Sequence, residues 1–165
     1  MIRACESGDF SAIAGIINDA AVAYRGVIPA DCWKDPYMPD DELAPEIARG
    51  VRFWGFEKQG ALVGVMGVEP VQDVTLIRHA YVRTSRRRGG IGGGLLKHLR
   101  DRTDTPMLIG TWAAADWAIR FYEARGFTRV SETEKTRLLR TYWTVPDRQI
   151  ETSVVLVCDR WLGGA

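Results

Sequence analysis

From Tyr81 to Leu96 the chain runs Tyr-Val-Arg-Thr-Ser-Arg-Arg-Arg-Gly-Gly-Ile-Gly-Gly-Gly-Leu-Leu, an order that few folds accommodate. Strand-forming residues precede it, and Leu95, Leu96 and Leu99 recur after it at helical spacing. The first amides of a helix have no internal partners, and its dipole presents positive charge there, so an empty helix start would repel neighbouring arginines. Glycines in the first turns, Gly93 and Gly94, cost about 1 kcal/mol each relative to alanine. Both features become favourable if a polyanion lies between Arg86, Arg87 and Arg88 and the amides of Gly89, Gly90 and Gly92, which no Cβ shields. The stretch therefore predicts a strand, a pyrophosphate cradle and a helix in succession.

The rest of the chain supplies the sheet around that unit. Asp9 can cap a helix with Phe10, Ile13, Ile16, Ile17 and Ala20 on one stripe, and a second helix is expected over Asp40 to Arg49, stopped by Gly50. Val51 to Glu57 and Leu62 to Val68 flank the turn Lys58-Gln59-Gly60, and a third strand alternates from Val74 to Arg83. That alternation places Arg78, Ala80 and Val82 on one face and Ile77, His79 and Tyr81 on the other. Pro106 to Trp112 reads as a buried strand, so strand, helix and strand imply a right-handed parallel crossover. A helix from Ala114 to Arg125 closes on Gly126 with Phe127 placed for a Schellman-type contact. The last strands fall at Phe127 to Val130 and Glu151 to Val157, joined by a polar stretch carrying Tyr142, Trp143 and Pro146. The expected fold class is α/β, one domain over residues 1–165, with a mixed and mostly antiparallel sheet of six to seven strands and about four helices.

Bulk properties exclude several functions. With 22 Lys+Arg against 21 Asp+Glu the net charge is +1, so no global field draws in nucleic acid or an anionic membrane, and an anion site must be local. Cys5, Cys32 and Cys158 show no CxxC spacing, and with only His79 and His98 as histidines no metal site is expected. Free thiols, no signal peptide and no apolar run approaching about 20 residues predict a cytoplasmic protein.

The phosphate ligand can be narrowed. A P-loop needs Gly-Lys-Ser/Thr, whereas Leu95-Leu96 follow Gly94; a dinucleotide fingerprint needs a glycine where Leu95 stands. Arg87-Arg88-Gly89-Gly90-Ile91-Gly92 instead resembles the Gln/Arg-x-x-Gly-x-Gly/Ala signature of the GNAT superfamily of acetyl-CoA-dependent N-acetyltransferases. Ala118-Ile-Arg-Phe-Tyr-Glu-Ala-Arg-Gly-Phe127 resembles that family's tyrosine-bearing helix, so the core motifs span residues 74–127. Thr84 stands where many members have proline, and Ala115 where many have an asparagine, which leaves only backbone or apolar cofactor contact at that position.

The resemblance implies acetyl-CoA as cosubstrate, held between splayed parallel strands by Tyr81, Val82, Arg83, Arg87, Arg88, Gly89, Gly90, Ile91, Gly92, Gly93 and Tyr122. It implies that the Val82 amide bonds the thioester carbonyl and that Tyr122 protonates the departing thiolate. The base that takes the amine proton is expected at Glu69 or His79. The acceptor, a small-molecule or peptide amine, is expected near Tyr24, Arg25, Trp33 and Tyr37 and near Tyr142 and Trp143; those aromatics also suit a homodimer surface. Cys32 and Cys158 lie in no visible Cys-His arrangement, which favours direct transfer over an acyl-cysteine. The alternative is a non-catalytic acyl-CoA-binding module, which would not need Tyr122.

Overall fold

The computed structural model describes residues 1–163. Seven strands, β1 (Ile2–Ala4), β2 (Arg52–Lys58), β3 (Ala61–Val71), β4 (Val74–Val82), β5 (Met107–Trp112), β6 (Thr128–Arg129) and β7 (Ser153–Val157), form one sheet in the order β1-β2-β3-β4-β5-β7-β6. Only β4 and β5 run parallel, as the crossover through the helix after the glycines requires; every other pair is antiparallel. Gln59 and Gly60 both have positive φ, so the β2–β3 turn carries the backbone twist that a two-residue hairpin needs.

Helices α1 (Phe10–Ala21), α2 (Asp40–Arg49), α3 (Ile91–Arg100), α4 (Asp116–Glu123), α5 (Glu132–Tyr142), α6 (Asp147–Glu151) and α7 (Asp159–Gly163) complete the described chain. The amphipathic stripe of α3, Ile91, Leu95, Leu96 and Leu99, packs with Tyr122 of α4 against Met66, Ile77 and Ile109 on one face of the sheet. Neighbouring strand residues point the other way: Val65 packs with Ile13, Ile16 and Ile17 of α1, and Leu76 with Leu138 and Leu139 of α5. No helix of the described residues is long and apolar enough to cross a membrane.

The polar stretch after β6 is helical rather than irregular. Ser131 caps α5 by accepting from the Glu134 amide at 3.2 Å, and Glu132 and Glu134 in the first turn favour its dipole. The buried Lys135 ammonium donates to the Ile150 carbonyl at 2.9 Å and so ties α5 to α6. Few apolar residues mark α5, and that is why periodicity alone leaves it as a loop.

Alternation along β4 also fails at one point. Gly67 pairs with Arg78 but Val65 pairs with Tyr81, so His79 and Ala80 together face Met66, and His79 takes φ 54°. Beyond this bulge the parity is reversed: Ile77 packs on the same core as Ala80 and Val82, not with Tyr81.

Candidate active site

The parallel pairing of β4 and β5 covers only Thr75 to Ile77 against Met107 to Ile109. Past Ile77 the bulge carries β4 away, while β5 stays paired to β7 through Trp112. The strands part there, and a cleft of about 530 Å³ opens between them. Its size suits a small-molecule site.

One mouth of the cleft is the sequence-predicted cradle. Arg86, Arg87, Arg88, Gly90, Ile91, Gly92 and Gly93 line it. Gly90 caps α3 with φ 74°, a conformation that other residues adopt only at a cost, and Arg88 beside it also has positive φ. The first bond of the helix ladder runs from the Gly94 amide to the Gly90 carbonyl, so the amides of Ile91, Gly92 and Gly93 are not used within α3. Arg87 reaches the Ala20 carbonyl at 3.4 Å, at the C-terminal end of α1. Gly89 joins the lining residues Arg88 and Gly90 without lining the cleft itself, and Arg83, expected among the cofactor residues, spends its amide on the Val63 carbonyl at 2.9 Å with its guanidinium beside Gly15.

That Arg83 bond orients its neighbour. Successive amides of a strand point to opposite edges, so the Val82 amide faces the edge that β5 has left. Tyr122 stands in the cleft wall, 4% exposed. Its position is fixed by the end of α4, where the Phe127 amide bonds the Tyr122 carbonyl at 3.1 Å and the Phe127 ring meets the tyrosine edge-on. Burial pushes its phenol well above the ordinary range, so it stays protonated.

The two expected bases fare differently. Glu69 is held by Arg78 at 2.9 Å and does not line the cleft. His79 lines the cleft at the bulge, with Nε2 2.9 Å from Glu46 Oε1 and its ring stacked on Phe53. Glu46 also takes Arg78. Burial raises the Glu46 pKa, but the His79 bond and the charges of His79 and Arg78 outweigh it, and the net shift is downward. In the neutral form of His79, an ionised Glu46 takes its bond from Nε2–H and leaves Nδ1 bare.

Another part of the wall is aromatic. Tyr24, in the turn after α1, stacks on Trp117 at 5.9 Å and meets Tyr81 hydroxyl to hydroxyl at 3.4 Å. Behind it Tyr37 accepts from Trp112 Nε1 at 2.7 Å and stacks on Trp33. Ala115 is fully buried beneath Tyr24. Arg25 is exposed, and Tyr142 and Trp143 belong to the α5 core, with the Tyr142 hydroxyl on Asp73. Trp117, Phe121 and Arg125 line the cleft and were not singled out from sequence, although their spacing of four residues places them on one stripe with α4. The Arg125 guanidinium lies over Phe121, 3.9 Å from the ring centroid, and borders Gly93 where any Cβ would crowd it.

A family model described as an acetyltransferase (GNAT) domain matches residues 17–141. Human N-acetyltransferase 8 is 30% identical over 95 residues, 52% of this chain, and the match spans only 42% of that relative's length. The structure of PaiA N-acetyltransferase from Thermoplasma acidophilum in complex with coenzyme A superposes with a TM-score of 0.70 at 15% identity, covering 96% of this chain and 97% of that one. Ribosomal-protein-alanine N-acetyltransferase from Brucella melitensis gives 0.61 at 24% identity, over 79% and 86% of the two chains.

Proposed function

Because the chain belongs to the GNAT acetyltransferase family, we propose that it transfers the acetyl group of acetyl-CoA to a primary amine of a small molecule or peptide by direct attack. The observation that carries this reading is the parting of β4 from β5 beyond Ile77 and Ile109, with the arginines and the unladdered amides of α3 at one mouth and Tyr122 in the wall.

The residues present fit such a cosubstrate: four cleft arginines and three unladdered amides suit a polyphosphate, and the apolar wall behind them suits an uncharged arm. When bound, acetyl-CoA supplies the acetyl group as an activated thioester. Arg86, Arg87, Arg88 and the α3 amides would hold the phosphates, and the Val82 amide would donate to the acyl oxygen as charge develops there. We place the base at His79, whose Nδ1 is the bare nitrogen, rather than at Glu69, which is engaged by Arg78. The amine proton passes to Nδ1, and the Tyr122 hydroxyl gives its proton to the departing sulfur.

The testing experiment is calorimetry of acetyl-CoA binding to the protein and to Arg87→Ala, followed by thiol release in the presence of amines. Micromolar binding weakened in the variant supports the site, and no binding at millimolar acetyl-CoA removes it.

A further inference from the structure

The aromatic end of the cleft has a chemical preference of its own. Its lining is Tyr24, Tyr81 and Trp117, with Ala20 and Thr111, and among the described residues no carboxylate and no lysine lines the cleft at all. Arg87 reaches the Ala20 carbonyl at the edge of this region. A ligand entering here meets ring faces and phenol hydroxyls.

The box is held rigid from behind. Asn18 clamps Met38 twice, through its carbonyl at 3.0 Å and its amide at 2.7 Å, which pins the loop that carries Tyr37. Trp112 can only donate, so the Tyr37 oxygen accepts its bond and is held in place. Tyr24 donates to the Tyr81 hydroxyl at 3.4 Å. Burial keeps all three phenols neutral. Trp117 forms the rim and is 40% exposed, with its stacked partner Tyr24 nearly buried. A rigid wall of this kind favours flat apolar surface by offset stacking and attracts an ammonium group to its ring faces. It offers no carboxylate to a second cation and only neutral hydroxyls to an acidic group, and burying either charge without a charged partner is costly.

Resting on the acetyltransferase reading above, we infer that the acceptor is a monoamine carried on a flat apolar body, an arylalkylamine, bound between Trp117, Tyr24 and Tyr81. An amine bearing a carboxylate and a polyamine are both disfavoured at this end.

The test compares 2-phenylethylamine with phenylalanine, butylamine and spermidine at saturating acetyl-CoA, with acetyl-CoA binding measured separately on the same protein. The expected result is kcat/KM for phenylethylamine at least tenfold above that for each of the other three, falling at least tenfold in Trp117→Ala, which lies on the rim and is not needed by the core. Binding of phenylethylamine to the CoA-loaded protein, read by quenching of tryptophan fluorescence, should weaken by a similar factor in Tyr24→Ala. Preferred turnover of spermidine, butylamine or phenylalanine overturns the inference and leaves the acetyltransferase reading standing. So does failure to acetylate phenylethylamine while acetyl-CoA binds normally. Absence of acetyl-CoA binding overturns both.

Discussion

The Tyr24 hydroxyl meets the Tyr81 hydroxyl at 3.4 Å in a cluster that removes both phenols from water. Burial holds these two, with Tyr37 and Tyr122, above the ordinary phenol range near 10. The unfolded chain therefore releases these protons first as pH rises, and stability falls above about pH 10 by about 1.4 kcal/mol per pH unit for each phenol. Denaturant titrations between pH 8 and 11, with phenolate absorbance followed in parallel, check this. Ionisation of most tyrosines with an ordinary midpoint in the folded protein would contradict it.

Tyr122→Phe removes only the proton donor from a position that packing and the α4 cap hold in place. Acetyl transfer should fall by roughly a hundredfold or more, from the lower end of the range for general acid catalysis upward, with little change in acetyl-CoA affinity. Steady-state rates and calorimetry separate the two effects, and an unchanged rate dismisses the acid role.

Arg87→Ala should weaken acetyl-CoA binding ten- to a hundredfold, since a hydrogen bond to a charged group contributes about 1.5–3 kcal/mol. Gly90→Ala acts differently. Its Cβ meets nothing within 4 Å, but φ 74° strains it, so stability should drop by about 1 kcal/mol while the cradle arginines remain. A variant as stable as the parent would show that the helix start is free to relax.

Glu46 accepts from both Arg78 and His79 in a half-buried position, so Glu46→Ala takes the carboxylate from His79 while Arg78 keeps Glu69. Destabilisation of about 1.5–3 kcal/mol, the contribution of hydrogen bonds to a charged group, is expected by urea unfolding. Because the folded pKa of Glu46 is depressed, its contribution is present above the unfolded carboxylate range near 4.3 and is lost as pH falls through the folded value. Glu46→Gln should therefore flatten the acid side of the stability profile.

The glycine-led helix start and the crossover were legible because they rest on local rules: arginines and glycines at a helix start leave few folds, and a strand–helix–strand order fixes handedness. Tyr122 was legible only through the likeness of its helix to a known family. The bulge at His79 was not, because it depends on how β4 must pass β3, and no residue type there announces a left-handed backbone. Helix α5 carried a usable signal in Ser131 followed three residues later by Glu134, which periodicity overlooks. The aromatic box escaped because Tyr24, Tyr37, Tyr81, Trp112 and Trp117 come from separate segments, and only the fold brings their rings together.

The parted strands are each fastened on their far sides, β4 to β3 and β5 to β7. Neither can swing inward without breaking a ladder, so the gap between them is architecture and not a door. A ligand entering between them would need no gating motion of the sheet, and its rate would be set by diffusion and by the attraction of the arginine mouth, slowing as ionic strength screens that charge.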